Sequence, residues 1–187
     1  MDDKELQRLL TMGMIPSEIK QVQKGHRTED DILVDRQVRN DSYQWIGVAL
    51  QDWPPFEVRW NIDKASHHRS LDGKSRDAFA AEYPDVIVMK ACPYEIVAAL
   101  PESKRRTKEP WEGDFQNKTA KVIAAWVKEI AITPPVLVLF KDGVMLAGGW
   151  HRFHVAMKRS VPTVKVLVRK SEISNIRLAV PSLAPAG

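Results

Sequence analysis

Apolar residues recur along this chain in short, regularly spaced groups punctuated by prolines and glycines. Near the start, Leu6, Leu9, Leu10 and Met12 fall on one face of a short helix that Gly13 and Pro16 end, and a second short helix is expected from Ser17. Thr28-Glu29-Asp30-Asp31 has the composition of a turn or cap. Tyr43 to Leu50 fits a helix and a buried strand equally, and Trp53-Pro54-Pro55 breaks whatever precedes it. Phe56, Val58, Trp60 and Ile62 then alternate with polar neighbours, the period of a half-buried strand. Lys64 to Lys74 is polar and reads as a loop, whereas Arg76 to Tyr83 suits a helix closed by Pro84.

Beyond Pro84 the pattern sharpens. Val86 to Met89 reads as a short buried strand and Glu95 to Leu100 as a single helical turn. After a charged loop from Pro101 to Gly113, Asn117 is placed to cap a helix from Lys118 to about Ile130, which Pro134-Pro135 stops. Strands at Val136 to Phe140 and Val144 to Ala147, joined at Lys141-Asp142-Gly143, form a hairpin. Helix, strand and helix are then expected at Phe153 to Arg159, Val161 to Val168 and Ser171 to Leu178. This order predicts an α/β (α+β) domain over residues 81–180 with a mostly helical extension over 1–80. Composition makes 181–187, rich in proline and alanine, a disordered tail.

Charge divides the chain in the same place. Residues 1–80 carry 12 lysines and arginines against 14 acids, whereas 81–187 carry 16 against 10, so the basic surplus lies with the later domain. A basic surplus of this kind attracts phosphate, whether nucleotide or nucleic acid. No apolar run approaches the ~20 residues that cross a bilayer, and Met1-Asp2-Asp3-Lys4-Glu5 is too polar for a secretory signal. With Cys92 as the one cysteine, neither an internal disulfide nor a paired-cysteine zinc site is available. The expected location is cytoplasmic.

The most informative segment is Leu146-Ala147-Gly148-Gly149-Trp150-His151-Arg152-Phe153, a strand entering a paired-glycine turn and then a helix. Glycines allow a close backbone approach, and the first N–H groups of a helix lack intrahelical partners and favour an anion. His151 and Arg152 add side-chain donors at the same end. A plain strand-to-helix turn with a solvated histidine and arginine accounts for the same residues. On the preceding helix Lys118, Lys121 and Lys128 share one face, and Val122, Ile123, Trp126, Val127 and Ile130 occupy the other. One face packs, and the other is free to meet phosphate or simply water.

Pro134-Pro135 with its strand, the Gly148-Gly149-Trp150-His151-Arg152 turn and Val161-Pro162-Thr163-Val164 together resemble the core of the ParB/sulfiredoxin superfamily, over about half of the chain. The resemblance implies an ATP or CTP phosphate site at Gly148, Gly149, Trp150, His151 and Arg152, with Lys118, Lys121 and Lys128 facing the nucleotide and Lys121 as the nearest match to the family lysine. Sulfiredoxin chemistry does not carry over. Trp150 stands where those enzymes have their cysteine, and without a thiolate at the turn no sulfinyl phosphate can be attacked. Trp150 also replaces the metal-holding glutamate of the partition proteins.

Closer resemblance is to a group of plasmid fertility-inhibition (oncogenic-suppression) proteins. It implies ATP hydrolysis and DNase activity with Arg152 and His151 as catalytic charge stabilisers, ATP as substrate and Mg²⁺ as its companion. It also implies inhibition of conjugative or T-DNA transfer beside a type IV secretion channel at the inner membrane, with DNA and secretion coupling or substrate proteins as partners. A non-enzymatic inhibitor docked on the secretion machinery and a DNA-binding partition-like factor are the alternatives. Metal ligands are not fixed by the sequence, Glu95, Glu112 and Asp114 being weak candidates, and His154 lies one helical turn beyond His151 as a further acid, base or ligand.

Lys104, Arg105, Arg106 and Lys108, four basic residues in five, suit sequence-independent contact with a DNA backbone, with Trp111 and Phe115 near enough to stack on bases. Two other motifs are dismissed. Gly73-Lys74-Ser75 lacks the earlier glycine of a P-loop, and the adjacent His67 and His68 point apart with no third ligand nearby.

Overall fold

A computed structural model describes residues 2–105, 111, 116–141 and 143–186. The chain forms two compact units, Met1–Asp41 and Ser42–Gly187, so the boundary expected near residue 80 lies some 40 residues earlier. The displaced segment carries Trp45, Val48, Trp53, Phe56, Val58 and Trp60, which all pack into the core of the second unit. Their apolar area binds the segment to that unit, and no local sequence signal separates it.

In the first unit, helices α1 (Asp3–Thr11), α2 (Pro16–Gln23) and α3 (Glu29–Ser42) enclose a small core of Leu9, Met14, Ile19 and Ile32. Asp2 caps α1 and Pro16 opens α2. The Thr28–Asp31 segment, expected as a turn or cap, is a reciprocal cap that starts α3, each side chain accepting the other residue's N–H at 3.1 and 2.9 Å. Arg36 ties α3 to Glu18 and to the Gly13 carbonyl oxygen.

The second unit is mixed α/β. Its elements are α4 (Arg76–Glu82), β1 (Val86–Ala91), α5 (Pro93–Ala99), α6 (Gln116–Val127), β2 (Val136–Phe140), β3 (Gly143–Gly148), α7 (Trp150–Lys158), β4 (Val164–Arg169), α8 (Ile173–Ala179) and β5 (Ala184–Pro185). The strands form one sheet in the order β3-β2-β4-β1-β5, with β2 and β4 parallel and the other pairs antiparallel. Side-chain alternation sorts its two faces. Ile87, Met89, Leu137, Leu139, Val164, Val166 and Val168 join the core under α5–α8, and Val86, Val88, Val136, Val138 and Leu167 pack with Phe79 and Tyr83 from α4 and its end.

Several local expectations are revised. α6 begins at Gln116, which puts Asn117 inside its first turn, and it ends at Val127 because Glu129 adopts φ +60° and Ile130 N–H bonds back to Ala125 O; the prolines further on are not what stops it. Phe56 to Ile62 makes a single bridge, Trp60 to Ile132, in place of a strand. The polar 64–74 stretch contains a 3-10 helix, Lys64–Ser70, with Ser66, His67, His68 and Ser70 buried. Nor is the tail disordered across 181–186: Ala184 pairs with Lys90, and Ser182 donates its N–H to Glu95 while its Oγ accepts the Cys92 N–H, both at 2.8 Å.

Candidate phosphate-binding site

β3 delivers the chain to Gly148, and Gly149, with φ +86°, takes the left-handed N-cap position that opens α7. A Cβ on Gly149 would lie 2.7 Å from Pro135 Cα and Cβ, and one on Gly148 would lie 2.5 Å from Ser70 O and 2.6 Å from Leu71 Cδ2. The protein's own close packing therefore requires both glycines, independently of any ligand. Ser70 Oγ donates to Pro134 O at 2.6 Å, fixing the 3-10 helix against the segment that enters β2.

The first intrahelical bond of α7 runs from Phe153 N–H to Gly149 O, so the amides of Trp150, His151 and Arg152 precede the helical ladder. At this positive end of the helix dipole an anion is stabilised. Arg152 Nη1 donates to Thr133 O at 2.6 Å, and desolvation draws the guanidinium pKa down to about 10, against the pull of Asp72. Arg152 is thereby a strut between α7 and the Thr133-Pro134-Pro135 segment as well as a charge. His151 Nδ1 lies 3.1 Å from Thr119 Oγ1 of α6.

One residue earlier on α6, Lys118 Nζ pairs with Asp72 Oδ2 at 2.6 Å. The Asp72 carboxyl is held below the usual carboxylate range, first by this hydrogen bond and further by the charges of Lys118, Arg152 and His151. Asp72, Lys118, Thr119, His151 and Arg152 are thus gathered at the start of α7. Of these, Asp72 and Thr119 escaped the sequence reading. A hydroxyl next to Lys118 was the available signal for Thr119, hidden by aligning the family lysine with Lys121; nothing local marks Asp72.

The other expected residues are more dispersed. Lys121 is a turn further along α6, and Lys128 lies past its end, roughly 15 Å from Lys118 along the axis, too far to share one phosphate with it. Trp150 is half-buried and packs on the main core. His154 and His67 are buried, and burial lowers the His67 pKa, with Nε2 3.2 Å from Ile62 O. Arg105 donates through Nε and Nη2 to Leu100 O and Ala98 O at 2.9 and 2.7 Å, capping the end of α5, so those donors face protein rather than DNA. Lys104 is exposed in the 3-10 turn Glu102–Lys104.

Arg106, Lys108, Glu112, Asp114 and Phe115 lie outside the described residues. Glu95 is engaged with Ser182, and among the described residues no three His, Cys, Asp or Glu side chains are placed to hold a metal ion. Comparison with protein-family models, curated proteins and solved structures finds no match to this chain.

Proposed function

We propose that the second unit is a ParB/sulfiredoxin-like domain that binds the phosphates of a nucleoside triphosphate, foremost ATP, at the start of α7. The observation that carries this reading is the convergence of Lys118, His151 and Arg152 from two helices beside leading amides that precede the helical ladder. Donors on several sides of one helix terminus suit a group with many oxygens and more than one charge. The β2–β3 hairpin, the glycine turn, α7 and a returning β4 beside β2 support the domain assignment.

Likeness to Osa, the plasmid fertility-inhibition protein, extends the proposal. On that likeness ATP is hydrolysed with Arg152 and His151 stabilising the developing charge, DNA is bound and degraded, and conjugative or T-DNA transfer is inhibited at a type IV secretion channel. The protein then works in the cytoplasm beside the inner membrane. Among the described residues no helix is long and apolar enough to cross a membrane.

The test is titration calorimetry with ATP, run beside release of inorganic phosphate and degradation of plasmid DNA, for the wild type and Lys118→Gln. The wild type is expected to bind and turn over ATP, and the variant to bind about tenfold more weakly, the effect of losing one charge-assisted hydrogen bond. Equal affinities count against the site. A contaminating nuclease acts equally in both samples.

One set of contacts favours a second reading. Pro135, Ser70 and Leu71 fill the space around the glycines, and Thr133 O takes the Arg152 guanidinium, so packing alone accounts for much of the turn. In that case the protein inhibits transfer by docking on the secretion machinery, and a variant that cannot bind ATP still blocks it.

A further inference from the structure

We infer that Asp72 is a built-in competitor for the anion site, its carboxylate resting against Lys118 where a ligand phosphate has to go. The inference rests on the phosphate-binding reading above and concerns how that site is regulated. Asp72 and Lys118 are 46 residues apart in sequence and meet at 2.6 Å. This acidic partner comes from another element, the turn between the Lys64–Ser70 helix and α4. A carboxylate offers the lysine the same kind of oxygen that a phosphate does, but fewer oxygens and a single charge.

The arrangement is readily reversible. Side-chain exposure is 79% for Asp72 and 43% for Lys118, so the carboxylate can swing into water without unpacking the core. Gly73, next in the chain, has φ +74° with open space around it. Exposed pairs of this kind are weakly held. A polyphosphate can displace the carboxylate, whereas a small monoanion gains little by the exchange. If the carboxylate stayed in place it would oppose each phosphate charge, by roughly fivefold in affinity per charge at 4 Å in water. Asp72 thus sets a threshold that favours polyanions.

The experiment titrates ATP and inorganic tripolyphosphate into the full chain as wild type, Asp72→Asn, Lys118→Gln and the double variant, each with and without Mg²⁺. Asp72→Asn is expected to bind both ligands about three- to fivefold more tightly than wild type, the ceiling set by an exposed ion pair. In the Lys118→Gln background that gain shrinks to less than about twofold, because the carboxylate competes for that lysine. Unchanged or weaker binding by Asp72→Asn, or a gain that persists in full without Lys118, overturns the inference. Weakening confined to the Mg²⁺ arm also overturns it, by making Asp72 a ligand of the metal–nucleotide complex. If neither wild type nor Asp72→Asn binds either polyanion, the phosphate-site reading itself falls. Binding with equal affinity removes the competitor alone.

Discussion

Gly149→Ala is expected to lower the stability of the second unit by about 3 kcal/mol, through two additive causes. A left-handed backbone costs an L-residue about 1–2 kcal/mol, and Gly149 sits at φ +86°. The new methyl also meets Pro135 Cα and Cβ at 2.7 Å, where overpacking against backbone costs about 1–3 kcal/mol. Gly73→Ala supplies the control. Gly73 has φ +74° but nothing within 4 Å of its added Cβ, so it loses only the backbone contribution. Urea unfolding reads both, with a fall in midpoint at constant slope for each variant. A Gly149→Ala midpoint no lower than that of Gly73→Ala contradicts the close approach of Pro135.

The second large effect is at Arg152. Replacement by alanine removes the donor to Thr133 O, leaving a carbonyl oxygen in a partly buried position without that bond, at a cost of about 2 kcal/mol. It also deletes the charge closest in sequence to the leading amides of α7. Arg152→Ala is therefore expected to unfold at lower urea and, at concentrations where it is still folded, to show no measurable ATP binding. Arg152→Lys restores the charge without the planar fork, and is expected to recover part of the affinity and little of the stability. Binding and stability both unchanged in Arg152→Ala contradict the two roles together. A reading of this arginine from sequence alone gives it only the ligand, because its bond to Thr133 spans 19 residues and leaves no trace in local pattern.

That difference between local and distant causes decides what was legible. Strands β1 and β2 stand out because runs of Val, Ile and Leu follow Pro84 and Pro134-Pro135, and their side chains alternate between two cores; β3, ended by Gly148, sends Val144 and Leu146 into the larger one. The strand–Gly-Gly–helix order around residue 149 was equally plain, and the structure supplies the left-handed glycine that such a turn needs. Polarity makes Lys64 to Lys74 read as a loop, yet Ser66, His67, His68 and Ser70 are buried in a 3-10 helix with partners more than 60 residues away, such as Ser70 Oγ to Pro134 O and Thr133 Oγ1 to Ser66 O. Helix α3 was overlooked because charged residues dominate Glu29–Ser42, leaving a weak apolar stripe.

The same holds at the ends of the second unit. Trp45, Trp53, Phe56 and Trp60 belong to its core, but Pro54-Pro55 interrupts the sequence between them, and the alternation from Phe56 to Ile62 that suggests a strand yields one bridge, Trp60 to Ile132. Pro181–Gly187 has the composition of a disordered tail, and its described part is ordered by partners that composition does not reveal: Glu95, Cys92 and the β1 strand, with Leu183 buried in the main core. Asp72 is an exposed acid in a polar stretch, and its meeting with Lys118 follows from the tertiary fold.

If the start of α7 grips a polyphosphate, amide NMR of the ¹⁵N-labelled chain titrated with ATP will register it there. Saturable shifts at Gly149, Trp150, His151, Arg152 and Lys118, absent with adenosine at the same concentration, are the result expected. Unmoved signals at these five residues while ATP binds elsewhere, or at ATP concentrations in the millimolar range with no binding at all, contradict it.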